Sequence, residues 1–254
     1  MYKAVVILFF LPSVLSGQKL IHVVVALCDN KCQGIVPVPE KIGDGENQNA
    51  NLYWGCGYGV RNFFDKKTAE WTLVSKEANP RADVLERCIF EHTSTGSILV
   101  ADAYRGCAIE RAMNDFFLSC SGKMEEEIDC IFSKGKKTIN LENSDLVSWV
   151  GHDGLMDFSI DNYPKAVEDT GKQAIMLACI SSEYFTEGIQ AAKVHPLLWT
   201  RGLMAPEAYT LEAAVTAFVN NKGSAEIEKA AEVAYQKYQG VSQKGANWLF
   251  KTGW

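Results

Sequence analysis

Two segments in the second half of this 254-residue chain run from apolar strand-like sequence straight into a reactive side chain. One is Leu146-Val147-Ser148-Trp149-Val150-Gly151-His152-Asp153-Gly154. The other is Ala174-Ile175-Met176-Leu177-Ala178-Cys179-Ile180-Ser181-Ser182. Strands of a parallel sheet are covered on both faces and lose apolar/polar alternation, and both segments read that way. Chain leaving the carboxyl ends of such strands forms the crevice where open α/β sheets place their chemistry. An imidazole and a thiol at that edge are the makings of covalent catalysis, in which the sulfur attacks and the histidine manages the proton.

Those strands need a sheet around them. Leu20 to Leu27 is a further buried-strand signal, rich in β-branched residues, and it ends in the turn-forming Cys28-Asp29-Asn30. Lys31 to Asn51 reads as a long loop carrying Pro37, Pro39, Gly43 and Gly45, and loops of that length are usually functional. Tyr53 to Phe64 is expected to be helical, with shorter strands at Trp71–Val74, Val84–Phe90 and Ser97–Ala101. Cys107 to Cys120 is an amphipathic helix with Ile109, Met113, Phe116, Phe117 and Cys120 on its apolar face. Two more apolar stripes follow, Leu211 to Val219 after Pro206, and Ile227 to Tyr238 between a Ser224 cap and Gly240. Strands interleaved with helices predict an α/β three-layer sandwich with a mainly parallel central sheet.

The amino terminus bears on compartment. Lys3 followed by the apolar run Ala4–Leu15 reads as a secretory signal peptide over residues 1–17, leaving 18–254 as one domain that is secreted or periplasmic. The run is shorter than the roughly 20 residues that span a bilayer, so the chain is not expected to cross a membrane. A net charge of −6 without clustered Lys or Arg excludes an electrostatic footprint for nucleic acid.

Eight cysteines in an exported chain favour pairing. Cys120 with Cys130 makes a local bridge across a Gly-Lys loop, and Cys56 with Cys107 is a second candidate pair; Cys28 and Cys88 lie in apolar runs as buried thiols. No ligand spacing for metal stands out, since Cys28-x-x-x-Cys32 lacks a second ligand pair. Gly55-Cys56-Gly57-Tyr58-Gly59 lacks the Lys-Ser/Thr of a phosphate loop and reads as close packing. No cofactor is implied.

Val150-Gly151-His152-Asp153-Gly154 followed by Ile175-Met176-Leu177-Ala178-Cys179 resembles the caspase-like cysteine peptidases, the group of caspases, metacaspases, legumains and gingipains. The sequence match covers about a dozen residues, while the expected order of strands and helices extends over most of the chain. The resemblance implies a caspase-like fold, a peptide or protein substrate, Cys179 as nucleophile and His152 as its proton partner. It places Asp29 or Asn30, just after the first strand, where legumain-like members orient the histidine. It also implies an oxyanion site made by the Cys179 N–H and a backbone N–H of the Asp153-Gly154 turn. One position departs: the family has Gly directly after His, and here Asp153 intervenes, a carboxylate that would oppose developing negative charge.

The resemblance also implies that substrate selection falls partly to chain after Cys179, here Ser181, Ser182, Glu183, Tyr184 and Leu197–Glu207, where Glu183 would favour a basic side chain and Arg201 an acidic one. Two further readings share the scaffold: a disulfide-stapled binding protein without activity, and an acyl transferase using the same dyad.

Overall fold

The computed structural model describes residues 17–254, so the leader read at the amino terminus falls almost wholly outside the described residues. In chain order the elements are β1 (Leu20–Ala26), α1 (Val60–Lys66), β2 (Trp71–Arg81), β3 (Val84–His92), β4 (Ile98–Tyr104), α2 (Ile109–Cys120), β5 (Glu127–Phe132) and β6 (Gly135–Asn140). Then follow β7 (Leu146–Val150), β8 (Gln173–Leu177), α3 (Ser181–Tyr184), α4 (Thr186–Ala191), β9 (His195–Thr200), α5 (Ala208–Val219), α6 (Ser224–Gln239), α7 (Gln243–Leu249) and β10 (Phe250–Lys251).

Eight strands form one sheet in the order β10-β9-β8-β7-β1-β4-β3-β2, and β5-β6 make a separate hairpin. The five central strands, β9 through β4, are parallel; β10 and the β3-β2 ribbon pair antiparallel at the margins. Val-Val-Val in β1 is buried on both faces, which is why its alternation is lost. Ile21, Val23 and Val25 join the core formed with α1, α5 and α6, while Val24 and Ala26 join the core under α2 and α4. The result is the expected three-layer α/β sandwich.

From β1 the chain crosses to β2 at one margin and returns through β3 to β4 beside β1, and it later places β7 on the other side of β1. Strand order therefore reverses at β1, and the crevice of such a sheet opens beyond the carboxyl ends of β1 and β7. Asn51 fastens that exit. It is fully buried; its Oδ1 accepts the N–H of Cys28 (3.0 Å) and Tyr53 (3.1 Å), and its Nδ2 donates to the carbonyls of Cys28 (2.8 Å) and Asp44 (3.0 Å). Every bonding position of the amide is filled.

Several expectations change. The helix expected over Tyr53–Phe64 is confined to Val60–Lys66, because Asn51 draws Tyr53 into a turn and Gly55 and Gly59 let the chain fold back on residues 48–54. The expected bridges do not form: Cys120, Cys130 and Cys56 are free, and Cys107 pairs with Cys32 across 75 residues. Cys120 is fully buried under the sheet, while Cys130, on β5, belongs to a separate core that the hairpin shares with β3 and β4. Cys28 and Cys88 are free and buried, as expected. No helix among the described residues is long and apolar enough to cross a membrane.

The α2 face of the sheet carries a buried ionic network rather than hydrocarbon alone. Arg87 grips Asp102 bidentately (Nε–Oδ1 2.6 Å, Nη2–Oδ2 2.7 Å) and reaches Glu126 at 2.6 Å. Arg81 pairs with Asp115 at 2.7 Å, and Tyr104 donates to the same oxygen at 2.9 Å. His22, mid-strand on β1, meets Ser119 at 2.9 Å and lies 3.5 Å from Asp102. Burial alone would raise the Asp102 carboxyl, but the Arg87 hydrogen bonds and His22 hold it well below the usual carboxylate range. Asp102→Ala strands the buried Arg87 and is expected to cost about 3–5 kcal/mol in urea unfolding. Asp129→Ala, at the exposed Lys136 pair, should leave the midpoint unchanged.

Candidate functional site

The last paired residues of the adjacent parallel strands β7 and β8 are Val150 and Leu177. His152 and Cys179 each stand two residues beyond that pair, so the two reactive side chains leave the sheet at one level of one edge. The Gly151 N–H donates to the Leu177 carbonyl at 3.3 Å and carries the pairing one residue past β7. Gly151 has φ +147°, and a Cβ there would crowd the Ala26 carbonyl at 3.0 Å, so only glycine fits this turn.

His152 is 9 % exposed and its Nε2 lies 2.7 Å from Asp157 Oδ2. The same carboxylate oxygen accepts the Gly34 N–H at 2.8 Å, and Trp149 Nε1 donates to the His152 carbonyl at 3.1 Å. With Nε2–H given to a carboxylate, Nδ1 is the nitrogen free to take a proton, and it makes no hydrogen bond among the described residues. Burial works to raise the Asp157 carboxyl, but the Gly34 N–H and His152 bring it below its ordinary value.

Cys179 is half-buried, with the Met204 N–H 3.4 Å from its sulfur. Burial pushes the thiol up, the Met204 N–H opposes this, and the charge of Asp153 adds to it. Among the described residues no hydrogen bond joins Sγ to His152. Ile180, immediately after, has φ +50° and ψ +31°, a left-handed conformation that a β-branched residue adopts only under strain, of order 1–3 kcal/mol. Its N–H donates to the Gly202 carbonyl at 2.9 Å, which holds the sharp exit from β8 into α3.

Asp153 is fully buried. Its Oδ1 accepts the Leu155 N–H at 3.0 Å, and its Oδ2 has no partner. Burial pushes this carboxyl up to about 7; the Leu155 hydrogen bond opposes that and the Asp157 charge reinforces it. Near neutral pH a large share of the population is therefore the uncharged acid, which removes much of the repulsion expected of a carboxylate in the His-Asp-Gly turn. The backbone N–H groups of Asp153, Gly154 and Cys179 find no acceptor among the described residues. Unpaired donors of this kind are rare in folded chains.

Asp29 and Asn30 also stand at this edge, after β1, but their polar atoms serve their own loop. Asn30 clasps Val38 through both amide atoms (2.8 and 3.0 Å), and Asp29 Oδ1 accepts the N–H of Lys31 (2.7 Å) and Cys32 (3.0 Å). Among the described residues neither is hydrogen-bonded to His152; Asp157 is. Sequence reasoning did not single out Asp157, because a one-turn 3-10 helix (Gly154–Met156) brings it back beneath the ring. The Asp153-x-Leu155 start of that turn is the local signal, since Asp153 is its cap.

Asp29, Cys32 and Cys107 present ligand atoms within 4.8 Å of one another, but the two sulfurs are bonded together, which withdraws both from metal ligation. A hollow of about 460 Å³ lies at the opposite, amino-terminal end of β7 and β8. Its Lys172 is already satisfied by the carbonyls of Glu142 (2.6 Å) and Ser144 (2.7 Å). Glu183 and Arg201 are both exposed. Comparison with protein-family models, with curated proteins and with solved structures yields no match.

The Asp153 carboxyl gives a measurable pH signature. Its unfolded value is 3.8, so between about pH 4 and 7 the unfolded chain sheds a proton that the folded chain keeps. Stability therefore falls as pH rises through that window, by an amount of order 4 kcal/mol. Asp153→Asn is expected to flatten the fall and to raise the Tm at pH 8 above wild type, as read by thermal unfolding across pH.

Proposed function

We propose that this chain is an exported cysteine-type hydrolase of caspase-like build, cleaving peptide bonds in a peptide or protein through a thioester on Cys179. The observation that carries the reading is the register of β7 and β8, which sends an imidazole and a thiol out of the sheet at the same level, beside the strand where order reverses. The strained Ile180 and the unpaired N–H groups of Asp153, Gly154 and Cys179 support it.

In this reading Asp157 holds Nε2–H and His152 Nδ1 accepts the thiol proton as substrate binds. The sulfur adds to the carbonyl carbon, and the oxyanion is met by backbone N–H groups at the edge. The C–N bond breaks as His152 returns the proton to the departing amine. Water, deprotonated by His152, then hydrolyses the thioester and frees the acid and the thiol. Because the sulfur is paired with Met204 and makes no hydrogen bond to the ring among the described residues, substrate binding must bring the two into contact, as is common in unliganded sites.

A second reading, a disulfide-bonded binding protein without activity, is favoured by the raised Cys179 thiol and its lack of a bond to His152. Limited alkylation of the native protein followed by peptide mapping separates the two. Preferential labelling of Cys179, with hydrolysis of a peptide library lost in Cys179→Ala, is expected for the hydrolase. An unlabelled Cys179 and no cleavage point to the binder. Asp157→Asn should lower kcat by about 100-fold with a small change in KM.

A further inference from the structure

The Cys32–Cys107 disulfide stands on the surface and joins the loop after β1, which reaches His152 through Asp157, to the turn before α2. Gly34, two residues after Cys32, gives its N–H to Asp157 Oδ2 at 2.8 Å. The loop backbone comes so close that a Cβ on Gly34 would collide with the Asp157 carboxylate. Asp157 in turn carries His152 at 2.7 Å. The path from disulfide to imidazole thus runs through two loop residues, Gln33 and Gly34, and one carboxylate.

We propose that the Cys32–Cys107 disulfide and Gly34 form a positioning clip for the His152–Asp157 pair, so that the imidazole's support depends on the redox state of that bond. The clip has a second fastening: Gln33 Nε2 donates to the carbonyls of Leu27 (2.8 Å) and Gly106 (3.0 Å), and Gln33 Oε1 accepts the Asp29 N–H (3.2 Å). Gln33 stands between Cys32 and Gly34, so its side-chain bonds and the disulfide hold this stretch together, the disulfide tying it covalently to the turn that precedes α2. Reduction removes the covalent tie and leaves the Gln33 bonds and the Cys32 N–H bond to Asp29 (3.0 Å) to hold the stretch. Both cysteines are exposed, so a dithiol reaches them: its two thiols supply two electrons and two protons, leaving the Cys32 and Cys107 thiols and the cyclic disulfide of the reagent.

The inference concerns the His152–Asp157 support and holds whether or not Cys179 is a nucleophile, so the readouts avoid catalysis. In the full chain, NMR titration of the Asp157 side-chain carboxyl and amide exchange at Gly34 are compared before and after dithiothreitol, and in Cys32→Ala/Cys107→Ala. Loss of the Gly34 hydrogen bond should raise the Asp157 midpoint by roughly one unit and speed Gly34 exchange by about tenfold or more. Gly34→Ala, with the disulfide intact, should give the same Asp157 shift and covers the case in which the double variant does not fold. An Asp157 midpoint and a Gly34 exchange rate unmoved by reduction overturn the proposal, as does an Asp157 midpoint unmoved by Gly34→Ala. Failure of Cys179 labelling or peptide cleavage would instead count against the hydrolase.

Discussion

A strand closed off on both faces and both sides is the constraint from which the site follows. β1 has β4 and β7 as hydrogen-bonded neighbours and core on either surface, so its own position is not negotiable. What is left to arrange is how the chain departs from it, and Asn51 decides that by bonding the backbone of Cys28 on both its N–H and its carbonyl. A buried amide with every bond made is rigid, because any displacement leaves an unpaired polar group in a region without water. β7 inherits its register from β1, β8 takes its register from β7, and the reactive ends of both are thereby placed relative to the fixed strand.

The two faces of the sheet are held by different physics. Under α5 and α6 the contact is hydrocarbon and aromatic, with Tyr209 stacked on Tyr238 at 4.5 Å. Toward α2, the margin around β3 and β4 is tied by guanidinium–carboxylate pairs whose geometry permits little adjustment. Such pairs are weak contributors to net stability but exacting about which neighbour they accept. Asp102 can face both Arg87 and His22 only when β1, β3 and β4 keep their present register. The ionic cluster thus specifies alignment at the end of the sheet remote from Cys179.

Much of this was legible from residue types because burial erases alternation. β1, β7 and β8 announce themselves as unbroken apolar runs, and their reactive endings are visible in the same lines of sequence. β5 also has a clear pattern, with Ile128, Cys130 and Phe132 inward and Glu127, Asp129 and Ile131 outward, but the acidic run before it suggests a solvated surface and hides the hairpin. β9 opens with His195-Pro196, a pair that reads as a break; at the strand's first residues, next to a register shift, the missing N–H is tolerated. The disulfide lay beyond inference because Cys32 and Cys107 meet only once β1 and β4 are neighbours. Asp157 was hidden for a similar reason: its partner is defined by a single tight turn and by a glycine more than a hundred residues earlier.

The margins of the sheet also have a consequence of their own. On one side the outermost strand shifts register twice along its pairing with β3 and contains Pro80, while on the other the last strand is two residues long. A neighbouring molecule seeking to zip onto the first margin would meet an amide ladder out of step and missing a rung, and on the second almost no ladder at all. A Val- and Ile-rich sheet with open, straight borders would act as a template for fibrous accretion. Borders of this kind confine the sheet to its own chain.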